Sequence, residues 1–178
     1  MAEIKKHNLS VNSIESVFKQ EKYISAMSSK FMSEGKFLFK KERKIRWEYL
    51  KPINYTIVIK DNLVQMKDEV KVSSYDMNSD KSFKQANDLL LKVVQGTIFG
   101  DKDYSYQFME NSELYKIILT PTVKKGSNVF SIIEMLLIKK SFDVAGITLK
   151  ESKGDYIKLT FENRKINQNI DDSRFTLR

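Results

Sequence analysis

The stretch GKFLFKKERKIRWEYLKP, residues 35–52, alternates large apolar residues with charged ones. Its second half is the clearest part, because Ile45, Trp47 and Tyr49 alternate with the charged Lys44, Arg46 and Glu48. A period of two is typical of a β-strand with one buried face and one solvated face. Phe37 and Phe39 continue the pattern in the first half. We therefore predict two antiparallel strands whose aromatic side chains share one face of a sheet.

The same stretch contains seven basic residues, within a chain of net charge +8 and pI near 9.4. Such a charge attracts nucleic acid, an anionic membrane surface or an acidic protein. The alternation, however, sends most of these side chains to the solvated face of the sheet, where charge also protects against aggregation. A nucleic-acid-binding sheet of the RRM type carries a defined aromatic motif that GKFLFKK lacks. We therefore expect no nucleic-acid partner and keep a basic nucleic-acid-binding module as the least favoured alternative.

The composition argues against most catalytic chemistry. The chain has no cysteine and a single histidine, His7, so disulfides and thiol nucleophiles are excluded and His-based metal sites are strongly disfavoured. The carboxylates Glu48, Glu134 and Asp143 have no spacing that pairs them for acid–base work. We expect neither an enzyme nor a protein that holds a metal or another cofactor.

A chain of 178 residues predicts one domain over residues 1–178. No apolar run approaches the ~18 residues of a membrane-spanning helix. Residues 1–10 show no signal-peptide pattern, and we expect a flexible N-terminus that remains after a signal peptide has been removed.

Two segments show helical spacing. In residues 12–24 the apolar Ile14, Val17 and Phe18 fall on one side of a predicted amphipathic helix. Residues 80–101 predict a second, unusually apolar helix, which is either deeply packed or covers a hydrophobic opening. Its apolar residues include Leu89, Leu90, Val93 and Val94.

The rest of the chain has the pattern of about ten strands in up-and-down order, the last one short and within residues 170–178. Further apolar sets at alternating positions are Ile57 and Ile59, Ile117 and Leu119, and Leu159 and Phe161. The predicted fold is mainly β: one curved sheet or incomplete barrel with helices against its concave face.

The order of these segments resembles the LolA family, periplasmic carriers of outer-membrane lipoproteins. The matching pieces are residues 17–52, YTIVIKD at 55–61, NDLLLKVVQG at 87–96, LYKIILTP at 114–121, residues 142–163 and IDDSRFTL at 170–177. The resemblance implies an unclosed antiparallel β-barrel of about ten to eleven strands, with a helical lid over a hydrophobic cavity. It also implies a location in the periplasm of a Gram-negative bacterium.

Under this hypothesis the apolar positions fall into two groups. The acyl-chain cavity is lined by Phe37, Phe39, Trp47, Tyr49, Ile57, Ile59, Ile117, Leu119, Leu159 and Phe161. The lid consists of Leu89, Leu90, Val93, Val94, Ile14, Val17 and Phe18.

The resemblance assigns two further positions. Ile45 aligns with a hydrophobic rim residue that the family uses in cargo handover. After the first Gly-x-Phe strand, family members often carry a basic residue followed by proline, and that basic residue tethers the lid. Here the pair is Lys41-Glu42, so the tether would be a lysine, which offers fewer donors than an arginine.

A carrier of this kind shuttles lipoproteins from the inner to the outer membrane. The implied partners are acylated lipoproteins as cargo, the inner-membrane lipoprotein-releasing ABC transporter and an outer-membrane acceptor, and we expect a monomer. Two related alternatives stay open: a LolB-like outer-membrane lipoprotein acceptor, and a carrier of another lipid.

Overall fold

The computed structural model describes residues 2–41, 43–95, 97–122 and 129–177. Within them the chain forms two α-helices, α1 (Ala2–Ser10) and α2 (Lys81–Val94), and one antiparallel sheet of eleven strands. The strands are β1 (Ser13–Ile24), β2 (Ser29–Lys40), β3 (Lys44–Lys51), β4 (Tyr55–Lys60), β5 (Leu63–Lys67), β6 (Val72–Asp76), β7 (Tyr104–Glu110), β8 (Leu114–Pro121), β9 (Phe130–Ile138), β10 (Val144–Glu151) and β11 (Tyr156–Ile166).

The strand order is β6-β5-β4-β3-β2-β1-β11-β10-β9-β8-β7, so β6 and β7 are the two edges of the sheet. The chain runs from one edge to the other through α2. The prediction of an unclosed antiparallel barrel with a helical element is therefore confirmed. None of the helices in the described ranges has the length and apolar character needed to cross a membrane.

The alternation in residues 35–52 determines the strand register. Phe37 lies opposite Trp47, which in turn lies opposite Ile57, and all three side chains are buried. Phe39, Ile45 and Ile59 form the next such row. Because alternate residues point to opposite faces, these rows cover the concave face of the sheet with apolar side chains.

The predicted helix over residues 12–24 is wrong, because this segment is strand β1. It pairs with β2 along its whole length and with β11 on its other side. Ile14, Ser16 and Phe18 also fit a period of two, and long-range pairing on both sides decides between the two patterns. Val17 lies between the buried Ser16 and Phe18 and is only half-buried.

A helix is found instead at the N-terminus, where a flexible segment was expected over residues 1–10. Helix α1 buries Ile4 and Asn8. The Asn8 side chain donates a hydrogen bond to the Val93 carbonyl at 3.2 Å, and His7 Nε2 lies 3.1 Å from Asp143 Oδ1. Helix α1 therefore contacts both the end of α2 and the turn before β10.

The C-terminal segment does not form the predicted short strand. It contains a short 3-10 helix, Asp172–Phe175, and it buries Ile170 and Phe175 against Leu38 and Val58. Leu38 and Val58 are strand residues that point away from the concave face, so a second, smaller apolar cluster lies on the convex side.

Basic residues of β2 and β3 hold this C-terminal segment. Lys40 and Lys44 contact the two oxygens of Asp172 at 2.6 and 2.8 Å. Hydrogen bonds from both lysines lower the pKa of Asp172 to about 2. Arg46 donates to the Arg174 carbonyl at 3.1 Å. These three basic side chains therefore bind groups of the protein itself.

Ile45 is not at a rim. Its side chain has 0% exposure and belongs to the main core, between the buried Phe39 and Ile59 in the register. The rim assignment is therefore wrong: the resemblance indicated a position along a strand, and the strand register places this side chain on the buried face.

Burial of Ile45 predicts a large effect of a charge at this position. We expect Ile45→Glu to lower the free energy of unfolding by more than about 3 kcal/mol, because a carboxylate there loses its hydration without gaining a partner. Ile45→Val, which removes one methylene, should cost about 0.5–1.5 kcal/mol. Urea denaturation followed by Trp47 fluorescence measures both variants. Native-like stability of Ile45→Glu would contradict the buried position.

Candidate functional site: an apolar interior covered by helix α2

Helix α2 begins with a defined cap. The Asp80 carboxylate accepts a hydrogen bond from the Phe83 amide at 2.9 Å, which satisfies one of the free amides of the first turn. One side of the helix is apolar and faces the concave side of the sheet. The other side carries charged residues, among them Lys84, Asp88 and Lys92. The amphipathic pattern therefore decides which side of α2 covers the core.

All four lid residues predicted on this helix are buried: Leu89, Leu90, Val93 and Val94. They belong to the same apolar cluster as the concave face. The other three predicted lid residues, Ile14, Val17 and Phe18, lie in β1 and are part of the sheet. Their assignment to a lid helix was wrong because it followed from the predicted helix over residues 12–24.

A cavity of about 150 Å³ lies between α2 and the sheet. Four of the predicted cavity residues line it: Trp47, Tyr49, Ile57 and Leu159. The helix contributes Phe83, Ala86, Asn87, Leu89 and Leu90 to its wall. We call this space the inner cavity. The volume is below the 300–1,000 Å³ typical of ligand pockets, so α2 covers the interior closely.

The other predicted cavity residues have different surroundings. Phe37 and Phe161 line a smaller space of about 30 Å³ near α1. The remaining four are almost completely buried in the core and line none of the described cavities: Phe39, Ile59, Ile117 and Leu119. The sequence therefore identified the apolar face of the sheet, and six of the ten predicted residues line one of these two spaces.

Aromatic rings form one wall of the inner cavity. The Trp47 ring centroid lies 4.5 Å from that of Phe37 and 4.9 Å from that of Phe18. Tyr49 stacks on Tyr55 at 4.2 Å between centroids. Such contacts add to the stability gained from burial and hold the rings in fixed orientations.

Three polar side chains interrupt this apolar lining. The Tyr49 hydroxyl donates to Gln20 Oε1 at 3.1 Å, and burial raises the pKa of Tyr49, so the phenol stays protonated. Asn87, which is buried, donates from Nδ2 to the Phe83 carbonyl of its own helix at 2.8 Å. Sequence analysis predicted Tyr49 as a cavity residue but missed Gln20 and Asn87, although Asn87 stands out as a polar residue beside the leucine run of α2.

Polar contacts fasten the outer side of α2. Arg43 Nη2 lies 3.2 Å from Asp88 Oδ1, and Lys84, one turn earlier on α2 itself, contacts the second oxygen of the same carboxylate. Gln85 Oε1 accepts from the Val129 amide at 2.9 Å. Lys92 Nζ lies 2.6 Å from Asp101 Oδ2; hydrogen bonding across this pair raises the pKa of Lys92 and lowers the pKa of Asp101.

The predicted tether, Lys41, reaches a different helix. Its Nζ donates to the Leu9 carbonyl in α1 at 2.8 Å. Glu42, its partner in the sequence pair, lies outside the described residues. The basic residue that contacts α2 is Arg43, which sequence analysis did not single out.

The three candidate carboxylates are separate from one another and have different partners. Glu48 pairs with Arg46, Glu134 with both Lys116 and Lys150, and Asp143 with His7. In the described part of the chain no group of three or more His, Asp or Glu residues could hold a metal ion.

Solved structures with the same fold come from several kinds of protein. An uncharacterized conserved protein from Thermus thermophilus matches with a TM-score of 0.59 and 14% identity, over 98% of this chain and 91% of that one. A DUF1329 family protein from Desulfovibrio piger matches with a TM-score of 0.53 and 12% identity, over 98% and 94%. At these identities the likeness shows the fold alone.

A third structure with this fold is part of a complex between two proteins, Pseudomonas aeruginosa MucA/MucB. It matches with a TM-score of 0.52 and 12% identity, and this chain covers 59% of the matched chain. A comparison with curated protein sequences finds no match.

The family itself is established by a sequence model. The model described as outer membrane lipoprotein carrier protein LolA matches residues 9–178, which include all eleven strands and helix α2. The chain therefore belongs to the LolA family.

Proposed function

We propose that this protein is a periplasmic carrier that takes the acyl chains of lipoproteins beneath α2 and shuttles them from the inner to the outer membrane. The observation that carries the proposal is the inner cavity, an apolar space between the sheet and a helix whose outer contacts are polar. Membership of the LolA family supports it. An acyl chain costs roughly 0.8 kcal/mol per methylene in water, so a diffusible carrier has to enclose its cargo.

The proposed cycle requires α2 to move, because an inner cavity of about 150 Å³ is too small for acyl chains. Half-exposed ion pairs such as Arg43–Asp88 contribute only about 0–1 kcal/mol each, so their rupture is a small cost. The apolar side chains of α2 would exchange contacts with the sheet for contacts with the acyl chains. Opening then depends on the presence of cargo, since water offers no such replacement.

The remaining parts of the proposal concern partners and location. We expect the protein to act as a monomer in the periplasm of a Gram-negative bacterium, between an inner-membrane lipoprotein-releasing ABC transporter and an outer-membrane acceptor. A carrier of another lipid is the second candidate, because Gln20, Tyr49 and Asn87 give the cavity wall hydrogen-bonding groups that bare hydrocarbon does not use. Native mass spectrometry of protein purified from its own periplasm would identify the bound lipid and decide between them.

A larger side chain at Ala86 tests the position of the cargo. Ala86 lines the inner cavity from α2, so Ala86→Phe should occupy this space and weaken the binding of a triacylated lipopeptide at least about tenfold, with the fold retained. Titration with the lipopeptide, followed by the fluorescence of Trp47, measures the affinity; urea denaturation checks the fold.

Ser82→Phe is the matched control for this variant. Ser82 is exposed on the same helix, so the same side chain there should leave lipopeptide affinity unchanged. Undiminished binding by a folded Ala86→Phe variant would place the cargo elsewhere.

Removal of the Asp88 carboxylate tests whether polar contacts keep α2 packed over the inner cavity. Asp88→Asn removes the charge that contacts both Arg43 and Lys84. We expect faster hydrogen exchange of the α2 amides and little change, within about 1 kcal/mol, in the free energy of global unfolding.

The control removes a surface ion pair distant from α2. Glu162→Gln breaks the exposed contact with Lys19 between β11 and β1. Its α2 amides should exchange at the rate of the unmodified protein, and equal rates in both variants would rule out a closing role for Asp88.

A further inference from the structure

A second, larger cleft lies on the outer side of α2. Its volume is about 540 Å³, within the range of ligand pockets, and it is bordered by residues from both halves of the open sheet. Arg43 and Asn62 come from the turns after β2 and β4, whereas Tyr104 and Pro121 come from β7 and β8. We call this space the outer cleft. It occupies the gap that the unclosed barrel leaves beside the helix.

The outer cleft has an excess of positive charge and of hydrogen-bond donors. Its lining contains three cationic side chains and one carboxylate, Asp88; one of the cations, Lys92, also pairs with Asp101. Side-chain amides supply neutral donors beside them. The cationic and amide residues are Arg43, Lys84, Lys92, Asn62, Asn78, Gln85 and Gln95. Apolar residues complete the lining, among them Leu91, Phe130 and Ile133. A site of this composition suits an anionic group attached to an apolar body.

The contacts of Arg43 leave capacity for an anion. One nitrogen, Nη2, contacts Asp88 at 3.2 Å, and Nε is buried without a hydrogen-bond partner in the described part of the chain. A guanidinium group normally binds carboxylate or phosphate through two parallel N–H groups. Asp88 does not pair with Arg43 in this way: its Oδ1 contacts Nη2, and its other oxygen is in contact with Lys84. Two cations therefore share one carboxylate.

Helix α2 separates the outer cleft from the inner cavity. Leu89 lines both spaces, so at this position a single side chain forms the partition. A movement of α2 would join an apolar chamber to a cationic opening. The combined site would suit an amphiphile, with its apolar chains in the chamber and its anionic head group in the cationic opening.

We propose that the outer cleft binds the anionic head group of the carried amphiphile, with its phosphate or carboxylate oxygens replacing Asp88 on Arg43 and Lys84. This inference rests on the proposed carrier function and adds head-group recognition to it. It has a mechanical consequence: Arg43 holds α2 through Asp88, whereas Lys84 lies on α2 itself, so a head group that takes the place of Asp88 on Arg43 releases the helix while the acyl chains enter beneath it. Recognition of the head group and opening of the interior are thereby one event.

Two amphiphiles with identical short acyl chains test the proposal: phosphatidylglycerol, which carries one anionic phosphate, and diacylglycerol, which carries none. Dissociation constants are measured by Trp47 fluorescence in low salt, with inorganic phosphate as a competitor in a separate series. We expect phosphatidylglycerol to bind the unmodified protein about tenfold more tightly, as charge-assisted hydrogen bonds allow. The preference should decrease with added salt.

The variants locate the effect. Arg43→Gln and Lys84→Gln should bring the ratio of the two dissociation constants close to one, whereas Asp88→Asn should increase it because the competing carboxylate is lost. Lys158→Gln is the matched control: it removes one positive charge from an exposed position on β11, outside the outer cleft, and should keep the preference. Urea denaturation of each variant verifies that the fold is retained.

The possible results separate the two proposals. Equal affinities for both amphiphiles, or an unchanged preference in both Arg43→Gln and Lys84→Gln, would overturn the head-group site and leave the carrier function intact. Binding of neither amphiphile nor a lipopeptide would overturn the carrier function, and the head-group site with it. Competition by inorganic phosphate that disappears in Arg43→Gln would support the site and show that the anion alone is sufficient. A tenfold preference without such competition would support a site that requires the attached chains.

Discussion

A curved sheet that does not close leaves its apolar concave face without a partner, and the rest of this structure follows from that constraint. The eleven strands end at β6 and β7, which do not pair with one another. The segment that connects these two edges in sequence is also the one that contains α2. Helix α2, which is part of the same chain, therefore covers the interior. A closed barrel of the same residues would have no such movable element, because every strand would be fixed by two neighbours.

The forces that hold α2 differ strongly on its two sides. Full burial of a leucine or valine contributes about 1.5–3 kcal/mol, so the four buried residues Leu89, Leu90, Val93 and Val94 together represent roughly 6–12 kcal/mol. The ion pairs of Asp88 and Lys92 contribute about 0–1 kcal/mol each. Loss of the polar contacts alone therefore cannot expose the helix to water. An apolar ligand that takes over the contacts between α2 and the sheet compensates for the lost burial. Once such a ligand is present, the polar contacts determine how readily the helix moves.

Sequence reasoning succeeded where one local pattern had one structural solution. The alternation in residues 35–52 fits only strands, and the leucine-rich run of α2 fits only a helix with one broad apolar side. It failed at β1, where Ile14 and Phe18 satisfy a helical period and a strand period equally well. There the hydrogen-bonding partners on β2 and β11 decide the structure, and no local pattern contains them. Ile45 and Arg43 show the same limit: the strand and the turn were predictable, but the complete burial of Ile45 in the core and the contact of Arg43 with Asp88 depend on tertiary packing.

The basic residues of the opening stretch have functions that its alternation alone did not reveal. Lys40, Lys44 and Arg46 fix the C-terminal segment against the convex face, and Lys41 reaches α1. Arg43, in the turn between the two strands, contacts α2.

One hairpin thus supplies the aromatic wall on its concave face and attachments for three peripheral segments through its polar side chains. Its register keeps the two functions aligned, because a shift by one residue would turn the aromatic rings to solvent and the charges to the core. The positive charge of this stretch is therefore explained largely by contacts within the protein. Arg43 differs in that its buried Nε has no hydrogen-bond partner among the described residues, which is where the proposed anion would bind.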